Sequence, residues 1–410
     1  MLRALRNKSQ SFLFKIFLVL IVIGFAAWGV GDLTGNKIPP VFKSNDFEIS
    51  YEQIINDFNK SRATNTGVID VQTAIQNGFL NNVLISNKAK LIINQESQYL
   101  DLNVPRLIIK KQISENDQFK ENLNNFDIAL ATTDANEQHY ENPTELFQIF
   151  MGSHLKYSSC FWNKKIKKLN DAEELMIKMT IKRAQISHNQ NILELGCGWG
   201  SMSLWIAKNY PSSQITAVSN SSVQKDYIDS FNYPNLTVIT SDMNDFSTSH
   251  KFDRIISIEM FEHMRNWNKL LKNISTWLNV NGFLFIHIFT HKNLSYLLNG
   301  KEKINWMSEN FFKEGMFPSQ YLLPVCDDHL ITKKMWHVNG KHYAKTLRAW
   351  LDNFDKNKKD VYAIFEKYNS NEKSSTLFCR WRIFFIACEE LFGFRKGEEW
   401  FVTHYLLEKR

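Results

Sequence analysis

The sequence predicts an α/β fold, a doubly wound and mostly parallel sheet, preceded by a transmembrane helix and a small all-α module. Two observations predict the sheet. Candidate strands at 191–195, 214–218, 236–240, 253–257 and 283–288 are separated by helical patterns between the first four, and such alternation implies parallel strands joined by crossovers. The stretch ILELGCGWGSMSLWIA, residues 192–207, reads as the end of a strand passing through a glycine turn into a helix. A third observation is size: 410 residues with 44% hydrophobic content make more than one packed unit the expectation.

The chain opens with MLRALRNKSQSFLFK, which carries Arg3, Arg6, Lys8 and Lys15 and no acid, and IFLVLIVIGFAAWGVG then runs apolar to Gly31. As a helix, residues 12–31 would cover about 30 Å, enough for a bilayer, with Lys15 snorkelling at one edge and Trp28 at the far interface. A cleaved signal peptide competes with this reading. No small-x-small site with a clear mature start follows Ala27, so residues 1–35 are expected to form an uncleaved anchor, a single span in a bacterial inner membrane.

Residues 36–125 read as a helical module. SYEQIINDF opens a helix with Ser50 as cap and Gln53 three residues on, and Ile54, Ile55 and Phe58 share one face. NNVLISNKAKLIINQESQYLDL repeats apolar residues at helical spacing through Val83, Leu84, Leu91 and Ile92. No catalytic constellation occurs there. Near residue 126 aromatic residues become dense and the strand-helix alternation begins, which places a boundary there and leaves 126–410 as the third unit.

Charge and cysteine usage exclude several functions. The net charge of +7 comes from 49 basic residues dispersed among 42 acids, with no compact basic tract beyond the first residues, which argues against nucleic acid. Cys160, Cys197, Cys326, Cys379 and Cys388 show no C-x-x-C spacing, and His154, His291, His337 and His342 no ligand spacing, so neither a disulfide framework nor a metal is expected.

The glycine turn points to a nucleotide-like ligand. Gly196, Gly198 and Gly200 follow the strand directly, so the backbone can turn sharply while helix N–H groups face a ligand. Ser201 stands where the dinucleotide fingerprint G-x-G-x-x-G needs glycine, which disfavours a nicotinamide cofactor. Glu194, just before the turn, could hold an ammonium group, and E-L-G-C-G-W-G is the form found in S-adenosylmethionine-dependent methyltransferases. The second strand ends at Ser219, where an acid would usually bind ribose, and Ser219 with Gln224 could supply a hydroxyl and an amide instead.

In SIEMFEHM, Glu259, Glu262 and His263 fall at i, i+3 and i+4, so a helix starting there would present all three to one pocket. An acidic helix start that complements the macrodipole, with a solvated His263, is the other reading. In RWRIFF, Trp381, Phe384 and Phe385 are either core or the aromatic wall of an acceptor pocket.

These patterns belong together. From about 136 to 407 the chain resembles the cyclopropane-fatty-acyl-phospholipid synthase superfamily, and within it the coclaurine N-methyltransferase-like branch. NEQHYENPTELFQIFMGSHLKYSSCFW, ILELGCGWGS, FDRIISIEMFEHMRNW, FIHIFTHK, NWMSENFF, NGKHYAKTLRAW and RWRIFFIACEELFG carry the resemblance. It implies a Rossmann-like sheet with a helical cap, and S-adenosyl-L-methionine held by Tyr157, Ser158, Glu194, Gly196, Gly198, Gly200, Ser219, Gln224, Asp242 and Met243. It implies catalytic roles for Glu259, Glu262, His263, His287 and Tyr343, and an acceptor pocket including Trp381, Phe384 and Phe385.

The lipid synthases hold a bicarbonate through a cysteine, an acid, a histidine and a tyrosine, and those positions map onto Ser159, Glu262, His287 and Tyr343. Glu259 stands where they usually have a small residue. A carboxylate close to the methyl donor suits an amine, since it can hold an ammonium and help His263 remove its proton. The expected reaction is therefore N-methylation of a small-molecule amine. A cyclopropane synthase acting on unsaturated lipid, and a membrane-tethered chaperone-like binding protein with an inactive methyltransferase domain, are the alternatives. Residues 1–125 resemble the N-terminal anchor and helical region of SurA-like, peptidyl-prolyl isomerase D-type folding factors, without the isomerase domain. Positive-inside counting would put everything after Gly31 outside, where the methyl donor is not expected, so the orientation of the span is left open.

Overall fold

The computed structural model of the protein describes residues 42–44, 47–61, 63–64, 67–68, 109–130, 143–298, 306–368 and 372–410. Its centre is a seven-stranded sheet made of β1 (Asn191–Leu195), β2 (Gln214–Ser219), β3 (Leu236–Thr240), β4 (Phe252–Ile258), β5 (Leu278–His291), β6 (Leu330–Val338) and β7 (Trp400–Lys409). The spatial order is β6-β7-β5-β4-β1-β2-β3. Strands β1 to β5 are parallel, and β7 lies antiparallel between β5 and β6. β1 is buried after its first residue, as expected of a strand with helices on both faces.

The five strands read from the sequence are all present. β6 and β7 are additions. β7 is buried for most of its length, and an apolar run of that kind cannot be told from a buried helix by periodicity. A second difference lies between β3 and β4, where no helix forms. The Asn244 N–H bonds Asp242 Oδ1 at 2.7 Å and the Phe246 N–H bonds the Asp242 carbonyl at 2.8 Å. Short polar side chains there satisfy the backbone in turns instead.

The helices of this part longer than five residues are α1 (Thr144–Phe150), α2 (Leu169–Ala184), α3 (Ser203–Asn209), α4 (Ser222–Asp229), α5 (Trp267–Trp277), α6 (Lys341–Lys356), α7 (Lys358–Tyr368) and α8 (Ser374–Gly393). α6 buries Tyr343, Thr346, Leu347, Trp350, Leu351 and Phe354, one stripe at helical spacing. Its Trp350 and Phe354 share a core with Phe147 and Phe150 of α1 and Trp381 and Phe385 of α8, so these helices form a cap on an aromatic interior.

Residues before 143 differ in part from expectation. The Gln53 N–H does bond Ser50 Oγ, at 3.2 Å, at the start of the helix Tyr51–Ser61, and Ile54 and Phe58 are buried. The all-α expectation is corrected by two small antiparallel strand pairs, Phe42–Ser44 with Phe47–Ile49 and Ala63–Thr64 with Gly67–Val68. Phe42, Phe47, Ile49, Thr64 and Val68 are residues that favour strands. The helix expected around Val83, Leu84, Leu91 and Ile92 lies outside the described residues. So does the expected span at 12–31. Among the described residues no helix is long and apolar enough to cross a membrane.

A helix at Ile109–Leu123 packs on the sheet's surroundings. Lys120 donates to the Val325 carbonyl at 3.2 Å and pairs with Asp328 at 2.9 Å, and Leu123 is buried in the same cluster as Trp267 of α5. The chain after it is pinned as well. Ala129 exchanges two hydrogen bonds with the Asn244 side chain, at 3.1 and 3.0 Å.

Candidate active site

Two cavities meet at the carboxyl edge of the sheet. The first lies over the ends of β1, β2 and β4, at the point where the strand order reverses and where such sheets bind ligands. It is built on the glycine turn. The N–H groups of Gly196 and Cys197 both bond the Val218 carbonyl at 2.9 Å, and Gly196, Gly198 and Gly200 have φ of +72°, +52° and +76°. A Cβ on Gly198 would meet nothing within 4 Å, whereas one on Gly200 would lie 2.8 Å from Ile228 of α4. Gly198 therefore faces the cavity, and Gly200 lets α4 pack closely.

Of the residues expected to hold the donor, Tyr157, Ser158, Glu194, Gly196, Gly198, Ser219, Gln224, Asp242 and Met243 line this cavity, and Gly200 does not. Ser219 Oγ donates to Gln224 Oε1 at 2.7 Å while accepting the Ser221 N–H at 3.0 Å. Gln224 Nε2 and Glu194 Oε2 are buried with no hydrogen-bond partner in the protein. Buried polar atoms are rarely left so. An amide donor and a buried carboxyl waiting in one cavity fit a ligand that carries hydroxyls and an ammonium. Burial pushes the Glu194 carboxyl up to about 8.

The second cavity is apolar. Phe289, Phe312, Phe317, Trp350, Phe384 and Phe392 contribute to its wall, around a cavity of about 120 Å³. Tyr157, Glu259 and His263 line both cavities. They are the place where the two meet.

Glu259 follows the last residue of β4 with φ of +48°, a conformation that costs a non-glycine residue and tends to occur at working sites. Its Oε1 accepts the Ser159 N–H at 2.9 Å and lies 3.1 Å from His287 Nε2. Its Oε2 accepts the Tyr343 hydroxyl at 2.6 Å. Burial pushes this carboxyl up, while the Lys156 charge, the Tyr343 hydroxyl and the Ser159 N–H oppose the push.

The expected helix face for Glu259, Glu262 and His263 is corrected. Only the three residues Phe261–His263 form a 3₁₀ turn, and Glu259 precedes it in the left-handed region, which ends the helical path. Glu262 points away from both cavities. Its Oε1 accepts the Phe289 N–H at 2.8 Å, and burial with Glu259 nearby holds its carboxyl well above the usual range. His263 reaches both cavities, and burial lowers its imidazole to about 4, so it is neutral at pH 7. His287 is fully buried behind Glu259 and touches neither cavity. Of Trp381, Phe384 and Phe385, the three residues of α8 expected to line the acceptor pocket, only Phe384 lines the second cavity. Trp381 and Phe385 pack in the core of the cap.

Lys156 escapes sequence reasoning. It is wholly buried, donates to Ser158 and bonds the Ser159 carbonyl at 2.8 Å, so it fixes the loop that supplies Tyr157 to Ser159. A lysine between Leu155 and Tyr157 gives no sequence signal of burial.

Residues 130–399 match the mycolic acid cyclopropane synthetase family, and residues 1–142 match the SurA-like N-terminal domain. The (S)-coclaurine N-methyltransferase of Papaver somniferum is 35% identical over 66% of this chain and 79% of its own length. A coclaurine N-methyltransferase crystallised with N-methylheliamine and SAH superposes with a TM-score of 0.74 at 32% identity, over 79% of this chain and 94% of that one. A cyclopropane synthase of Mycobacterium tuberculosis shares the fold, with a TM-score of 0.59 at 20% identity, over 70% of this chain and all of that one.

The expected bacterial inner-membrane location is withdrawn, and with it the contact to a membrane through residues 12–31. The (S)-coclaurine N-methyltransferases of Papaver somniferum and Thalictrum flavum are plant enzymes, and among the described residues no helix is long and apolar enough to cross a membrane. A glycine turn over β1, two unpartnered polar atoms beside it and an apolar cavity sharing Glu259 and His263 thus agree with the matches: the chain belongs to the mycolic acid cyclopropane synthetase family, in its coclaurine N-methyltransferase-like branch, and is an S-adenosylmethionine-dependent methyltransferase.

Proposed function

We propose that the acceptor is a small apolar amine and that Glu259 receives its ammonium. One observation carries this reading. Ser159, His287 and Tyr343, positions that the resemblance assigns to bicarbonate in the lipid synthases, all bond the Glu259 carboxylate. A carboxylate of the protein itself thus occupies the anion's place.

Glu194, Ser219, Gln224, Asp242 and Gly198 would hold the methyl donor, with Gln224 Nε2 and Glu194 Oε2 satisfied by it. S-adenosylmethionine supplies an electrophilic methyl group on a sulfonium. An amine attacks only through a free lone pair, so its ammonium must first lose a proton. Glu259 draws the cation to the junction of the cavities, and its charge, which favours an imidazolium beside it, helps His263, which lines both cavities, take that proton. The aromatic wall excludes water and favours a cationic guest. Tyr157, shared by both cavities, confines the approach, and proximity supplies much of the rate. Glu262 and His287 act from behind, by holding the Phe289 backbone and Glu259.

The test is substitution of Glu259. Glu259→Gln should leave donor affinity unchanged and slow amine methylation on the order of a hundredfold, the scale of losing one acid-base group. In Glu259→Ala, added bicarbonate or formate should restore part of the rate. If Glu259→Gln methylates amines at full rate, or the wild type makes cyclopropane lipid in a bicarbonate-dependent way, the amine reading fails and the lipid synthase reading replaces it.

A further inference from the structure

A row of side chains crosses the sheet behind Glu259. Ile258 of β4 pairs with His287 of β5, His287 pairs with His404 of β7, and His404 pairs with Trp336 of β6. Directly paired residues project from the same face, so the two imidazoles and the indole stand side by side. His404 Nε2 lies 2.9 Å from His287 Nδ1. Arg183, in the last turn of α2, closes the row: its Nη1 lies 2.7 Å from His404 Nδ1, and its guanidinium sits over Trp336, 5.1 Å from the ring centroid. Both histidines are fully buried.

This order has a direction. A guanidinium only donates hydrogen bonds and stays charged in proteins, so His404 Nδ1 must accept. A neutral His404 then carries its proton on Nε2 and donates to His287 Nδ1. His287 in turn carries its proton on Nε2 and donates to Glu259 Oε1. We propose that Arg183 and His404 are positioning residues that lock His287 as a donor and so keep Glu259 an accepting carboxylate. Without the lock, His287 could turn its bare Nε2 to Glu259 and favour the protonated acid. The charged groups facing the row are Arg183 from α2, Lys156 from the loop after α1 and Glu259 itself. Arg183 and Lys156 both favour neutral rings. The wire does not carry a proton to solvent, because its outer end is a donor that cannot accept one. The proposal deepens the amine reading, and its first test needs no substrate.

That test is nitrogen NMR of the full chain with labelled histidine, His287 and His404 being assigned by the signals lost in His287→Gln and His404→Gln. The wild type should show both rings protonated on Nε2 and bare on Nδ1. Arg183→Met should release the His404 tautomer, and should lower kcat for the amine about tenfold, the scale of weakening one hydrogen bond to a charged group, with the KM for S-adenosylmethionine unchanged. Arg183→Lys, which keeps a donor, should recover part of both. A proton on Nδ1 of either ring in the wild type, or unchanged tautomers and kcat in Arg183→Met, overturns the proposal. A wild type with the expected tautomers that methylates no amine would sink the amine reading and leave this one standing.

Discussion

Glu194 should announce donor binding by releasing a proton. Its carboxyl is pushed up from its ordinary 4.5 to about 8 by burial, against the pull of Ser203, so at pH 7 most of the ligand-free folded protein keeps it protonated. The raised folded value means that this group's contribution to stability is complete below about pH 4.5 and fades as pH rises through about 8. An ammonium lodged against Oε2 would favour the carboxylate and expel the proton. Calorimetry at pH 7 in buffers of different ionisation enthalpy should show roughly one proton released per donor bound, and Glu194→Gln should remove that dependence. Identical heats in all buffers would place the donor's ammonium elsewhere. At this scale much of the site was legible. Glu194, Gly198, Ser219, Gln224 and Glu259 could be read because each lies in a short motif tied to one turn or strand end. Arg183 and His404 could not: His404 meets His287 across 117 residues, through two antiparallel pairings absent from the sequence reading.

Among the elements, the helix Ile109–Leu123 bears most on where the enzyme begins. The proposed boundary near residue 126 falls just after it. Yet Leu123 is buried beside α5, Asn266 donates to the carbonyls of Asn124 and Phe126 at 3.1 and 2.9 Å, and Ala129 and Leu130 line the donor cavity. A chain of residues 126–410 should therefore bind the donor and transfer methyl, but unfold about 5 °C below a chain of residues 109–410, the effect expected from losing one buried leucine and its neighbours in a domain of this size. Thermal unfolding of the two chains checks this. Equal midpoints would show the helix to be an appendage, and loss of all transfer at 126 would make it part of the enzyme. The spacing of Trp381, Phe384 and Phe385 in RWRIFF is that of one helix, and α8 carries all three. Spacing failed at SIEMFEHM, where a left-handed Glu259 breaks a pattern that looks helical in letters.

The whole molecule brings a polar cavity on a parallel sheet against an apolar cavity under a helical cap, with Tyr157, Glu259 and His263 common to both. The sheet was legible because short apolar strands recur between helical patterns and the first runs into a glycine turn. The cap's contribution was less so: Trp381 and Phe385 look like pocket residues in RWRIFF and prove to be core, since one helix face cannot tell a cavity from a packed interior. In the proposed reaction the junction transfers methyl to nitrogen, with Glu259 in place of an added anion. The most direct measurement is mass spectrometry of the full chain incubated with methyl-labelled S-adenosylmethionine in bicarbonate-depleted buffer, offered apolar secondary and tertiary amines in one vessel and unsaturated phospholipid vesicles in another. Label should appear on an amine at a rate that added bicarbonate does not change. Label in a lipid cyclopropane, appearing only when bicarbonate is returned, would contradict the proposed reaction.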